Sequence, residues 1–526
     1  MKTSQTTTSA TEELRSVSAQ LHELVDVDRR ILNRRQTLGY MLFDGSRGFH
    51  IDSHKDLFVD SILKISFPLQ SSYNIFAGIW DIVDDFIVGG IIEKTRTRWG
   101  KFVPHLFAGG LLFSLFSVLY WLLPLFFSQA HVDDKGFLPK FFAYAAMDMA
   151  LEFFGNIRNV SIDGYLSTIT PYPSDRRRLL AISSYCSILY ARIPDFLIEI
   201  LLDVIKNGIV SAGTKTTDQM IRRSIMTVGP ITAAVSGIVI VWYSSIAKER
   251  VHQKIERPKL RDSLKFVLSH RPVLLYLISN ALGSFGTGLT TNDYYRQVLN
   301  WTTFETVAGI PSFFFQPIGF AKYNALASRY STRSLYMVSQ VFAKTFYIPL
   351  YFYGMFLKGK DGKQFFKNRW AMLPVTAIWE IIYATFWGVK SISANEIRNE
   401  CNDYLEWKCG YRNEAMLSAA SAFVCKIPAR INGVLQPRYK DWIGYDQTAY
   451  TEGRDQPDGA QKWIFAMATL IPAILVLSSM IPMFWYKLDR PTRDRMYREL
   501  NERRAAAAEA IKNEADANGA EEPDLA

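Results

Sequence analysis

Three stretches of this chain, residues 105–129, 224–247 and 463–486, contain no Lys, Arg, Asp or Glu. A helix rises about 1.5 Å per residue, so roughly 20 apolar residues cross the ~30 Å hydrocarbon core of a bilayer. Each stretch is long enough to do so, and a water-soluble core has no use for three of them. The pattern therefore calls for an all-α membrane protein.

Between these runs, apolar segments alternate with short charged connections. Twelve candidate spans emerge, at residues 37–62, 66–93, 102–128, 138–168, 179–205, 224–247, 272–296, 301–328, 333–357, 370–396, 412–437 and 462–486. With both termini placed in the cytoplasm, the inside segments hold 32 Lys and Arg against 14 outside. That asymmetry follows the positive-inside rule and sets the expected orientation in a cell (inner) membrane. It also accounts for the net charge of +10 without a nucleic-acid partner. The expected organisation is a cytoplasmic N-terminal tail (1–36), a six-helix half (37–247), a basic middle loop (248–271), a second six-helix half (272–486) and a cytoplasmic tail (487–526), the last read as an exposed helix that fades into disorder. Residues 1–36 are polar and carry Arg29, Arg30, Arg34 and Arg35, so the first span is expected to direct insertion itself. Two six-helix halves flanking a midplane site describe a rocking transporter acting as a monomer. The four cysteines, Cys186, Cys401, Cys409 and Cys425, show neither metal-ligand nor disulfide spacing.

Charges inside spans are expensive, so they pair or line a pathway. On the second span Asp81, Asp84 and Asp85 occupy one helical face at i, i+3 and i+4. Three clustered carboxylates call for a cation or protons, and their oxygens suit a hard ion such as Na⁺. A salt-bridged gating network is the alternative. The fourth span carries a stripe of Asp148, Glu152, Asn159 and Asp163. On the fifth, Arg192 is expected to pair with Asp195 or Glu199. Lys426 and Arg430, one turn apart on the eleventh, are counter-charges to these acidic faces. His50 and His54 share a helical face at i, i+4 in the first span. They form the only such histidine pair, without further metal ligands, and no nucleophile–base pair or phosphate-binding glycine loop is present, so an enzyme is not expected.

The run Gly78-Ile79-Trp80-Asp81 through Asp85, then Gly90 and Lys94-Thr95-Arg96-Thr97-Arg98-Trp99-Gly100-Lys101-Phe102-Val103-Pro104, closely resembles the signature of glycoside–pentoside–hexuronide:cation symporters of the major facilitator superfamily. So do Asn402-Asp403-Tyr404-Leu405-Glu406-Trp407-Lys408-Cys409-Gly410-Tyr411-Arg412-Asn413-Glu414, the Lys426 helix running to Ile443-Gly444-Tyr445-Asp446, and the linker from Pro258 to Pro272. The resemblance implies a twelve-helix major facilitator fold and cation-coupled transport of a sugar or sugar derivative by alternating access. It places Asp81 and Asp85 on the cation site, with Asp84 where the family usually has Asn. Asp163 fits the helix-four aspartate near cation and sugar, with Asp148 as the competing alignment, and Lys426 fits the lysine linking the halves. Arg96 and Arg98 fall in the cytoplasmic loop that brackets the inward gate, and Trp387 and Lys390 lie near the sugar-stacking tryptophan.

Two departures weaken melibiose-like specificity. The helix-one aspartate that contacts sugar has no match in Asp44-Gly45-Ser46-Arg47-Gly48-Phe49-His50, and the helix-five arginine falls on Cys186. Arg47 either holds an anionic group such as a uronate carboxylate or pairs with Asp44 or Asp52. The coupling ion stays open between Na⁺ and H⁺, no cofactor is expected, and a facilitator or a symporter for an organic anion or lipid-like solute is the alternative function.

Overall fold

The structure is a computed structural model. It describes residues 32–95, 97–127, 137–169, 173–207, 216–249, 269–360, 362–409, 414–486, 488, 492–500 and 502–503. The chain divides into two compact units, Met1–Ile255 with Asp446–Asp455, and Glu256–Tyr445 with Gln456–Ala526.

In the first unit, α1 (Arg34–Ser46) is followed by an irregular link and a run of 3-10, α and π turns (Asp52–His54, Lys55–Leu57, Phe58–Ile62). Then come α2 (Phe67–Lys94), α3 (Val103–Phe126), α4 (Phe137–Thr168), α5 (Pro173–Lys206) and α6 (Thr217–Ile246). The second unit holds α7 (Arg271–Gly283), α8 (Thr291–Gln297), α9 (Phe304–Gly309), α10 (Gln316–Ala327), α11 (Thr332–Lys344), α12 (Tyr347–Phe356), α13 (Arg369–Cys409), α14 (Glu414–Trp442), α15 (Asp458–Ala468) and α16 (Leu470–Met480). Among the described residues, Val103–Phe126, Thr217–Ile246, Arg369–Lys408 and Asp458–Trp485 are long and apolar enough to cross a membrane by themselves. The remaining spans are more polar or interrupted.

The expected spans differ from the observed elements at informative places. The first span, expected as one helix over 37–62, breaks after Ser46, and the seventh, expected over 272–296, breaks between Gly283 and Thr291. Each begins with a helix of 13 residues. Packing explains the first break. A Cβ on Gly48 would lie 2.6 Å from the Ala191 Cβ of α5, so the chain leaves its helix against a wall that admits only glycine. Phe49 stacks on Tyr190 at 4.5 Å just beyond. Because residues 47–51 are not helical, His50 and His54 do not share a helical face as expected.

The tenth span is also longer than expected, since α13 runs on to Cys409. Its C-terminal extension is covered by residues 492–500, which form a docked helix rather than the exposed one expected: Met496 and Leu500 are buried, and Trp407 donates to Glu499 at 2.6 Å. The loop segment Asp446–Asp455, between α14 and α15, belongs to the first unit. There Gln447 donates to the Ile65 carbonyl at 2.8 Å, and Lys206 lies over the Tyr450 ring.

The two cores of the first unit sit at opposite ends of the bundle. One gathers Phe58, Trp121, Tyr144 and Ile198, the other Phe43, Val88, Leu106 and Tyr243. At the second end the middle loop contributes a cap. Glu249 accepts hydrogen bonds from the amides of Lys101, Phe102 and Val103 at 2.9, 2.6 and 2.9 Å. Val103 opens α3, Phe102 is its N-cap and Lys101 precedes it, so these donors have no partner within the helix and lie at its positive end. Gly100, with φ +105°, makes room, since a Cβ there would collide with the same carboxylate. Glu249→Ala should therefore lower stability by about 2 kcal/mol, read as a fall in the thermal unfolding midpoint in detergent. Glu249→Gln, which keeps one acceptor oxygen, should lose less.

Candidate functional site

Helices α2 and α4 build an acidic centre in the first unit. Asp81 and Asp84 are buried and Asp85 is exposed, and one oxygen from each lies within 4.8 Å of the others. The i, i+3, i+4 spacing on α2 brings them together, and α4 answers from across the interface. The Asn156 side-chain amide donates to Asp84 Oδ1 at 3.0 Å and to Asp85 Oδ1 at 2.9 Å. Both its N–H groups are thereby used, which orients its carbonyl oxygen away from both bonds. Asp84 Oδ2 is fully buried and has no hydrogen-bond partner among the described residues. Two like charges about 4 Å apart repel by about 4 kcal/mol at an effective dielectric of 20. A neutral amide does not neutralise the charge it binds, whereas a cation or proton at Asp84 Oδ2 would.

Asn156 was not singled out in the sequence, though it lies one turn after Glu152 on the same stripe. Asn159, which was, is exposed. Asp148 is held elsewhere on the interface, accepting from the Tyr73 hydroxyl at 2.8 Å. Tyr73 stands eight residues before Asp81 on α2, about 12 Å along the axis. Glu152 is half-buried between these two points. The side chains of Asp163 and Cys186, and the whole of Arg96, lie outside the described residues.

The breaks in the first and seventh spans leave backbone groups without helical partners, and side chains supply them. At the first, Ser236 of α6 donates to the Ser46 carbonyl at 2.8 Å and Ser187 of α5 to that of Asp44 at 3.3 Å. At the seventh, Asn432 of α14 donates to the Ser284 carbonyl at 2.9 Å and accepts from the Gly286 amide at 3.1 Å, while Gln436 donates to the Gly288 carbonyl at 2.8 Å. Irregular backbone at membrane depth is tolerated only where protein or a water-filled cavity covers it. Interrupted helices at matching places in two halves are the pattern that marks a solute site.

The other sequence candidates fall as follows. Arg47 pairs with Asp44 at 3.3 Å, one of the two arrangements expected for it. Arg192 is exposed, and Asp195 instead accepts from Ser53 at 2.6 Å and lies 3.8 Å from His54 Nδ1. The turns after the first break bring Ser53 and His54 onto α5 beside Asp195. Arg98 lies over the Trp99 ring at 5.3 Å. Trp387 of α13 packs edge-on against Phe320 of α10, with Lys390 one turn further on. Lys426 and Arg430 are half-buried on α14, on the same helix as Asn432 and Gln436.

A family model described as MFS/sugar transport protein matches residues 38–490. The chain belongs to this family. It is a membrane transporter of the major facilitator type and not an enzyme, as the melibiose-permease-like motifs implied. The Escherichia coli (strain K12) glucuronide carrier protein homolog is 21% identical across 89% of the chain and 95% of its own length. The uncharacterized symporter YnaJ of Bacillus subtilis (strain 168) is 19% identical across 85% and 89%. The uncharacterized symporter sll1374 of Synechocystis is 24% identical over 234 residues, 40% of its own length. A crystal structure of a nucleoside transporter NupG variant superimposes with a TM-score of 0.50 at 12% identity, covering 86% of this chain and 98% of that one. At that identity the likeness concerns the fold.

The crowding of carboxylates gives a stability prediction. Asp84→Asn removes one of three mutually repelling charges and keeps an oxygen for Asn156. In sodium-free buffer near pH 8 it should unfold at a higher temperature than the wild type, by the equivalent of about 1–3 kcal/mol. Differential scanning fluorimetry of the purified protein checks this, and Asn156→Ala, which strips both donors, should shift the midpoint the other way.

Proposed function

We propose that the protein is a secondary active symporter that couples entry of a cation, Na⁺ or H⁺, to transport of a saccharide or sugar derivative by alternating access. The observation that carries this reading is the α2–α4 acidic centre, with a buried Asp84 oxygen that has no hydrogen-bond partner among the described residues, in a chain of the MFS/sugar transport family. The glucuronide carrier homolog among its relatives favours a sugar-type solute.

The mechanism follows from the electrostatics. Without a cation the three carboxylates repel, and the state that exposes them to water is favoured. A bound cation removes the repulsion and allows α2 and α4 to close upon each other through Asn156. Coupling arises because cation and solute each favour the same closed arrangement. The driving energy is the ion gradient plus about 2.3 kcal/mol per charge per 100 mV of membrane potential. The excess of Lys and Arg on alternate connections supports a membrane orientation with both termini in the cytoplasm.

Reconstituted liposomes test the proposal. Labelled glycosides, pentosides and uronates are offered under a sodium gradient, a pH gradient or neither. Gradient-driven accumulation should appear for at least one solute and fall more than tenfold in Asp81→Asn and Asp85→Asn. Equal uptake with and without a gradient would make the protein a facilitator. Folded protein that moves no saccharide would transfer the solute to the organic anions or lipid-like molecules.

A further inference from the structure

A second charged centre lies in the first unit, on the other side of α4 from the carboxylates. Arg158 is buried, and its Nε and Nη1 atoms are sealed from solvent without a hydrogen-bond acceptor among the described residues. Its guanidinium rests on the face of Phe113 at 4.0 Å. A guanidinium stays charged in any protein setting and offers five N–H donors, so burial without acceptors is among the costliest arrangements a chain can keep. The charged groups in range of it are Arg47 and Asp52 at the first break and Lys55 just beyond it, with His50 among them in sequence.

The carboxylates there are engaged elsewhere. Asp44 pairs with Arg47 at 3.3 Å, and Asp52, half exposed, lies 3.6 Å from Lys55. Asp148, whose charge reaches Lys55, is bonded to Tyr73. Arg158 is thus left as a cation without a bonded counter-ion among the described residues. His50 completes the picture. Its ring packs edge-on against the same Phe113, at 5.5 Å. Ser236 spends its only proton on the Ser46 carbonyl, so its oxygen accepts from His50 Nε2–H at 3.3 Å. That tautomer leaves the buried, unpartnered Nδ1 as an acceptor. A sealed guanidinium and a free imidazole acceptor on one aromatic ring match an oxyanion that carries a neighbouring hydroxyl.

We infer that the break in the first membrane helix is an oxyanion site, with Arg158 binding the anionic group and His50 Nδ1 accepting from an adjacent hydroxyl. The carboxylate of a sugar acid fits both groups, and a free inorganic anion fits the first alone. The sugar-acid form rests on the solute-transport reading given above, while the anion site does not require cation coupling. Both groups are sealed in this structure, so the ligand reaches them only when the packing around the break opens.

Binding is measured on the full-length protein in detergent and sodium-free choline buffer, by tryptophan fluorescence and by the unfolding midpoint. The probes are glucuronate, the neutral methyl glucoside and inorganic phosphate. Glucuronate should bind saturably and raise the midpoint. Arg158→Gln should weaken it at least tenfold, and Arg158→Lys, which keeps the charge and loses the planar fork, should fall between. His50→Gln should weaken glucuronate and leave any phosphate binding unchanged. Phosphate that competes with glucuronate shows that the anion alone suffices, and phosphate without effect shows that it must come on the solute; either supports the site. Equal glucuronate affinity in wild type and Arg158→Gln overturns it. So does a wild type that binds neither anion, in which case matching losses of stability in Arg158→Gln and Asp52→Asn would identify Asp52 as a structural partner. Failure of the cation reading is separate, since it shows as gradient-independent uptake with these affinities intact.

Discussion

A polypeptide inside a bilayer has no water to satisfy its amides and carbonyls, so every departure from a helix must be covered by another part of the chain. Much of this structure follows from how it meets that demand. The break after Ser46 is held by hydroxyls of α5 and α6, and the break after Gly283 by amides of α14. Serines on one side and Asn and Gln on the other do the same chemical task, and the first membrane helix of each unit is among those interrupted. An uninterrupted helix would need none of these bonds. Their presence says that the interruption is built in, and it gives each unit a polar point within a membrane helix.

The acidic centre obeys the same rule with charge in place of backbone. Asp81, Asp84 and Asp85 are brought within 4.8 Å of one another, and Asn156 binds only two of them. An arrangement with a full complement of donors would be stable and inert. One short by a buried oxygen is stable only when something from outside completes it. In the symport proposed above, this is how the site would convert an ion gradient into a preference between two shapes, because the free energy of completion exists in the closed arrangement alone.

The fold was legible because it rests on the coarsest signal a sequence carries. Charge-free runs of membrane length and the bias of Lys and Arg between alternate connections require no knowledge of packing. The α2 cluster was legible for the same reason, since spacing on one helix is set by the helical period. What crosses from one helix to another was not. Asn156 lay on the same stripe as Glu152, but only the rotation of α4 against α2 chose it over Asn159. The first and seventh breaks carry helix-weakening glycines, Gly45 and Gly48 in one and Gly283, Gly286 and Gly288 in the other, but glycines also occur inside intact membrane helices, so they did not reveal the breaks. Contact with Ala191 and Tyr190 shapes the first of them. The docking of residues 492–500 was invisible for a related reason: Met496 and Leu500 are two apolar side chains in a basic tail, and their burial depends on α13 continuing past the membrane.

Arg158 illustrates the limit most clearly. In sequence it is one arginine inside a polar stretch of α4, ready to be read as an interfacial charge reaching for water. Its rotation away from Asn156, toward Phe113 and the first break, buries it instead. The helix therefore carries opposite chemistry on two flanks, an amide that steadies carboxylates on one and an unanswered cation on the other. A rigid helix cannot move one flank without the other. If the two proposed sites are occupied, a ligand that draws Arg158 toward the break would turn Asn156 relative to α2, and an ion that tightens the carboxylates around Asn156 would turn Arg158. Shared rotation of a single helix is then sufficient to link the two centres within one unit, with no chain of intervening contacts required.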